Sequence, residues 1–216
     1  MNNNIMIIGA SGMVGTVLIN LIKNDNPYDK VIILTRRALK NIPDSGGKFI
    51  QHIVDFDNLE QYRDVIKART LVSLLGTTAK KAGSKDNFIK VDYGYPKQTA
   101  LIARDNGTEN IILVSAIGAN HDSGFLYPAT KGRLEQAVMQ MGFRSVNILR
   151  PSLLLGNRQE FRGGEVIGNY FASGLSFMIP AKYKPVHART VAQKIIDISI
   201  NPVCGNNTFE GRAIYE

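Results

Sequence analysis

A chain of 216 residues, 44% of them hydrophobic, is long enough to bury a sizeable core, yet none of its apolar stretches approaches the roughly 18 residues a membrane-spanning helix needs. The excess of 26 basic over 18 acidic residues gives a net charge of +8, but it is scattered (Arg36-Arg37, Lys80-Lys81, Lys182, Lys184) without a long basic run or an RNA-binding aromatic signature, so no dedicated nucleic-acid surface is expected. The lone cysteine, Cys204, cannot form an intrachain disulfide, and the three histidines (His52, His121, His187) lack metal-ligand spacing, so no metal is expected. The opening MNNN has neither the basic start nor the apolar region of a secretory signal, which makes a cytoplasmic setting the expectation.

In chain order, short apolar runs rich in β-branched residues predict strands at Ile5 to Ile8, Val31 to Thr35, Phe49 to Val54, Leu71 to Leu75, Asn110 to Ser115 and Val146 to Leu149. Helical spacing predicts helices over Val14 to Lys23, Leu59 to Lys67, Tyr93 to Asp105, Tyr127 to Met141 and Thr190 to Ile200. Strands alternating with helices imply an α/β fold of the Rossmann type, a doubly wound parallel sheet covered on both faces. No repeat or linker divides residues 1–216, which read as a single nucleotide-binding domain. The alternation fades after Pro151, and residues 151–216 are expected to contribute a small substrate-side lobe, ending in a strand over Thr208 to Tyr215. Phe161, Tyr170, Phe171, Phe177 and Tyr183 in that lobe fit a substrate pocket, a core or a dimer face, core packing first.

The first strand runs directly into GASGMVG at residues 9–15 and then into a helix. In that context Gly9 makes the tight turn, Gly12 admits a pyrophosphate close to the backbone, and Gly15 lets helix and strand pack closely. The backbone amides of the loop and helix start, from Ser11 through Met13 and Val14, would hold the anion. A tight turn without ligand is the bland alternative. About 20 residues further on, where an NAD binder carries an acid for the ribose, the chain reads ILTRR. Arg36 and Arg37 can pair with a 2′-phosphate and stack on adenine, which favours NADP(H) over NAD(H); a pair of solvated surface arginines is the alternative.

In FLYPATKGRLEQ, Tyr127 and Lys131 are one helical turn apart, about 6 Å along the axis. A tyrosine is a poor proton donor or acceptor at neutral pH unless a nearby cation stabilises its phenolate, and Lys131 can be that cation. Ser115, ending the preceding strand, can hold a carbonyl oxygen beside Tyr127. A chance tyrosine with an exposed lysine one turn on is the alternative.

These motifs, together with VDF at 54–56, LGTT at 75–78, KVDY at 90–93, SAIGAN at 115–120 and LRPSLLLGNR at 149–158, resemble the short-chain dehydrogenase/reductase superfamily. Within it the resemblance is to the atypical group of Tat-interacting oxidoreductase-like and NmrA-like NAD(P)-binding proteins, and it covers most of the chain. The resemblance implies that Ser115, Tyr127 and Lys131 are catalytic. It also implies that Asp55 and Phe56 line the adenine, that Leu75, Gly76 and Thr77 line the cofactor after the fourth strand, and that Arg150-Pro151 begins the substrate region. A helix-capping role for Asp55, a plain turn at Gly76 and a strand terminator at Pro151 stay open. Asp92 stands where many members carry the asparagine of a proton relay, which departs from the pattern. The leading expectation is an NADPH-dependent reductase of a small carbonyl substrate. Its main rival is a cofactor-binding regulator acting through a protein partner, and a nucleotide-sugar epimerase or dehydratase is third. A homodimer is compatible with the sequence.

Overall fold

Ile5 to Ile8 is apolar at every position because both of its faces are covered: Ile5 and Ile7 enter one core, Met6 and Ile8 the other. The same division splits Val31 and Ile33 from Ile32 and Leu34. The computed structural model describes residues 3–25, 27–40, 42, 46–155 and 184–215. Its strands are β1 (Asn4–Ile8), β2 (Lys30–Thr35), β3 (Phe49–Ile53), β4 (Thr70–Ser73), β5 (Asn110–Val114), β6 (Ser145–Arg150), β7 (Leu154–Leu155), β8 (Val186–His187) and β9 (Gly205–Glu210). Seven of them form one parallel sheet in the order β3-β2-β1-β4-β5-β6-β9, and β7 pairs with β8 beside it.

Helices α1 (Met13–Asn24), α2 (Ala79–Ala82), α3 (Lys85–Ile89), α4 (Tyr95–Asp105), α5 (Leu126–Met139) and α6 (Ala188–Ile200) complete the layers. One face of the sheet is covered by α1 and α6 through Leu18, Ile22, Val191 and Ile195; the other is covered by α4 and α5 through Ala100, Ile102, Leu134 and Val138. The strand order turns back between β1 and β4, the switch point beside which α/β sheets bind ligands at the carboxyl ends of their strands. A groove of about 530 Å³ opens at the opposite, amino-terminal edge, among Asn4, Lys30, His52, Lys67 and Arg69. It lies away from the switch point and carries none of the predicted site residues.

Several elements differ from their prediction. The helix expected over Leu59 to Lys67 is a 3₁₀ stretch, Phe56–Val65, interrupted by non-helical Asn58 and Tyr62. Asp55 accepts hydrogen bonds from the Asp57 amide and the Asn58 side chain, and such local bonds compete with a regular helix. The fourth strand ends at Ser73, leaving Leu74 and Leu75 in the following loop. Ahead of α4 a π turn spans Lys90–Gly94. The last strand is Gly205–Glu210, and a 3₁₀ turn, Gly211–Ile214, occupies half of the segment read as strand. Of the expected substrate-side lobe, residues 156–183 with all five aromatic candidates lie outside the described residues, while α6 and β9 join the main sheet layers.

Tyr28, between α1 and β2, fastens α6 to this frame: its Oη lies 2.5 Å from Ser199 Oγ, and burial pushes the phenol up to about 12. An unfolded tyrosine ionises near 10, so in strong alkali the folded chain retains a proton that the unfolded chain releases. The resulting stabilisation is whole below about pH 10 and declines by up to about 2 kcal/mol as pH rises toward 12. Urea unfolding over that range is expected to show a steeper loss in the parent than in Tyr28→Phe; parallel profiles would contradict the assignment.

Candidate active site

The strand register sets the site's layout. Ile8 pairs with Leu34 on one side and Ser73 on the other, Thr35 with Ile53, and Val114 with Leu149. The segments that follow these residues therefore leave the same edge of the sheet. In order across it come Asp55 and Phe56, Arg36 and Arg37, the glycine loop, Leu75 to Thr77, Ser115, and Arg150.

At the glycine loop, Gly9 has φ +83, and a Cβ on it would stand 2.6 Å from the Leu74 carbonyl carbon. A Cβ on Gly15 would stand 2.6 Å from both the Gly9 oxygen and the Ala10 Cα. Both glycines are required by close backbone approach, at the turn and between helix and strand. Gly12 is the N-cap of α1 and brings no side chain to cap it, and the first turn holds no acid. Met13 and Val14 begin the helix with Ser11 exposed just before them, so the positive end of the helix dipole lies at the switch point. These residues fit a dinucleotide: Gly12 puts no side chain over the helix end, and the positive end of the dipole complements the charge of a pyrophosphate.

Arg36 and Arg37 are exposed beyond β2, where Thr35 Oγ1 donates to the Arg37 carbonyl at 2.9 Å and bends the chain. Asp55 caps the 3₁₀ stretch through its carboxylate, the reading held open above, and Phe56 is buried against the Tyr95 ring at 5.4 Å. Beside them Asp57 takes both Lys90 Nζ (2.6 Å) and the Tyr95 hydroxyl (2.7 Å), which hold its carboxyl below the usual range and tie this stretch to the π turn.

Ser115 is buried, and its Oγ has no hydrogen-bond partner among the described residues. Between it and α5 the chain loops back, with the Asn120 amide donating to the Pro128 carbonyl at 3.0 Å. The loop lies so close to α5 that a Cβ on Gly132 would meet the His121 backbone nitrogen at 2.2 Å. Nothing in the spacing marked Gly132, yet it brings the chain from Ser115 onto the helix of Tyr127 and Lys131. Tyr127 is partly exposed, its ring centre 6.1 Å from that of buried Phe88. Lys131 is buried, and its Nζ lies 2.9 Å from Asp92 Oδ1. The other Asp92 oxygen accepts the Thr77 amide at 2.7 Å, so one carboxylate joins the loop after β4 to α5. In the sequence Asp92 is marked only by its departure from the family pattern; the pairing joins residues too far apart in the chain for a local pattern to reveal.

Glu135, one turn beyond Lys131, is buried and gripped by Arg150 through Nε (3.1 Å) and Nη2 (2.6 Å). That bond holds the guanidinium above its ordinary value and fixes α5 to the end of β6. Among the described residues no three His, Cys, Asp or Glu side chains converge on a metal position, and no helix is long and apolar enough to cross a membrane.

Residues 5–82 match the saccharopine dehydrogenase NADP binding domain family. The chain is 33% identical over 215 residues to Protein HTATIP2 of Rattus norvegicus, covering 99% of this chain and 88% of that protein. It is 34% identical over 209 residues to Protein FMP52, mitochondrial, of Candida albicans, covering 92% and 89%. Among solved structures, MoeE5 in complex with UDP-glucose and NAD superposes with a TM-score of 0.71 at 15% identity, covering 98% of this chain and 79% of that one. The ADP-L-glycero-D-manno-heptose-6-epimerase of Helicobacter pylori gives 0.70 at 17%, covering 97% and 76%. At such identities these two likenesses are of fold.

Replacing Arg150 by Met leaves the Glu135 carboxylate buried without its partner. A loss of about 3 kcal/mol or more in urea unfolding is expected, and an unchanged midpoint would contradict the anchoring role.

Proposed function

The chain belongs to the HTATIP2 and FMP52 family of atypical short-chain dehydrogenases/reductases, and from that membership we propose that it is an NADPH-dependent reductase of a small carbonyl compound. The observation that carries the reading is the buried Ser115 hydroxyl without a described partner, on the edge shared by the amino end of α1 and followed in the chain by Tyr127 and Lys131. When bound, the reduced nicotinamide supplies a hydride to the carbonyl carbon. Ser115 donates a hydrogen bond to the carbonyl oxygen and orients it. Tyr127 delivers its proton to that oxygen as negative charge develops there, so that the carbonyl leaves as an alcohol.

Lys131, one helical turn from Tyr127 and paired with Asp92, would favour the phenolate and would hold the ribose hydroxyls. The amides of the glycine loop and of Met13 and Val14 take the pyrophosphate, while Asp55, Phe56, Leu75, Gly76 and Thr77 line the dinucleotide. Arg36 and Arg37 take the 2′-phosphate, which makes NADP(H) the preferred cofactor over NAD(H); the match of residues 5–82 to an NADP binding domain family supports this choice. A cytoplasmic setting belongs to the same proposal, and because the Candida albicans relative is named mitochondrial, subcellular fractionation is its check.

The test is NADPH oxidation against a panel of aldehydes, ketones, quinones and dicarbonyls. Turnover by the parent is expected on at least one class, falling by a factor of roughly a hundred or more in Tyr127→Phe with NADPH affinity kept. Full turnover in that variant would remove Tyr127 from its role. A parent that binds NADPH and is silent across the panel would favour the cofactor-dependent regulator.

A further inference from the structure

Resting on the reading above, we propose that Asp92 is the positioning residue of the site: one buried carboxylate that fixes the Lys131 ammonium and joins it to the cofactor-lining loop after β4. Asp92 has no exposed surface, and Lys131 is 4% exposed. Their 2.9 Å contact is therefore almost dry; Oδ1 meets the ammonium as an ion pair without hydrogen-bond alignment, so the buried carboxylate depends on a further hydrogen bond to its other oxygen. The Thr77 amide supplies that bond at 2.7 Å.

The turn bearing Asp92 is itself held from outside, where Lys90 grips Asp57 at 2.6 Å. Asp92 sits on a π turn, the local widening of a helix often met at functional sites. The anchor is thus pinned on the 3₁₀ side and presents its oxygens to Thr77 and Lys131. Loop and lysine share it, so a lysine that would hold the nicotinamide ribose is kept in register with the loop that would line that half of the cofactor. Asparagine at this position would keep an acceptor for Thr77 and lose the charge that holds Lys131.

The experiment uses two probes, NADPH and adenosine 2′,5′-bisphosphate, which presents only the adenine half, titrated calorimetrically into the parent, Asp92→Asn, Lys131→Met and the double variant. Asp92→Asn is expected to weaken NADPH roughly tenfold, to leave the bisphosphate within about twofold, and to add nothing in the Lys131→Met background. If Asp92→Asn does not fold, Asp92→Glu, which keeps the charge and displaces it by one methylene, is expected to show the same selective loss, and the double variant to match Lys131→Met. Equal weakening of both probes would reduce Asp92 to a structural role, and unchanged NADPH affinity would remove it from positioning; either overturns the inference. A parent that binds neither probe overturns the cofactor reading itself, and the inference with it.

Discussion

At the turn from β1 into α1, three stretches of backbone approach so closely that no side chain fits between them. A Cβ at Gly9 would collide with Leu74 just beyond β4, and one at Gly15 with Gly9 and Ala10. This contact sets how near α1 lies to the sheet and where its amino end points, and the strand register carries the result sideways to every other segment on that edge. A bulkier residue at either glycine would move the helix dipole away from the switch point as well as opening the packing.

Charge is distributed along the edge in a consistent way. Exposed arginines stand at the β2 end, the amino end of α1 lies in the middle, and a buried lysine paired to a buried aspartate links the loop after β4 to α5. Anionic groups of a dinucleotide would meet positive or dipolar partners along its length, while the reacting end would lie in drier surroundings, where electrostatic effects are stronger. The Glu135 and Arg150 bond and the Gly132 contact serve this arrangement by fixing α5, on which both Tyr127 and Lys131 are carried.

The sheet was legible in the sequence because parallel strands covered on both faces leave uninterrupted apolar runs, and all six predicted strands occur within a residue or two of their expected bounds. The glycine loop was legible because its spacing follows from local backbone geometry. Leu59 to Lys67 misled because its sparse apolar residues fit helical spacing, whereas Asp55 and its neighbours satisfy the backbone locally and only Phe56 and Leu59 are buried in the resulting stretch. Asp92 with Lys131, and Gly132 with the loop at His121, were not legible as contacts: they depend on how separate elements pack, which no window of sequence contains.

The proposed chemistry requires that this edge hold NADPH through the glycine loop and the two arginines. The most direct measurement is calorimetric titration of NADPH and NADH into the parent and into Arg36→Ala/Arg37→Ala. The parent is expected to bind NADPH at least roughly tenfold more tightly than NADH, and the double variant to lose the difference. Equal affinity for the two nucleotides in the parent, or no binding of either, would contradict it.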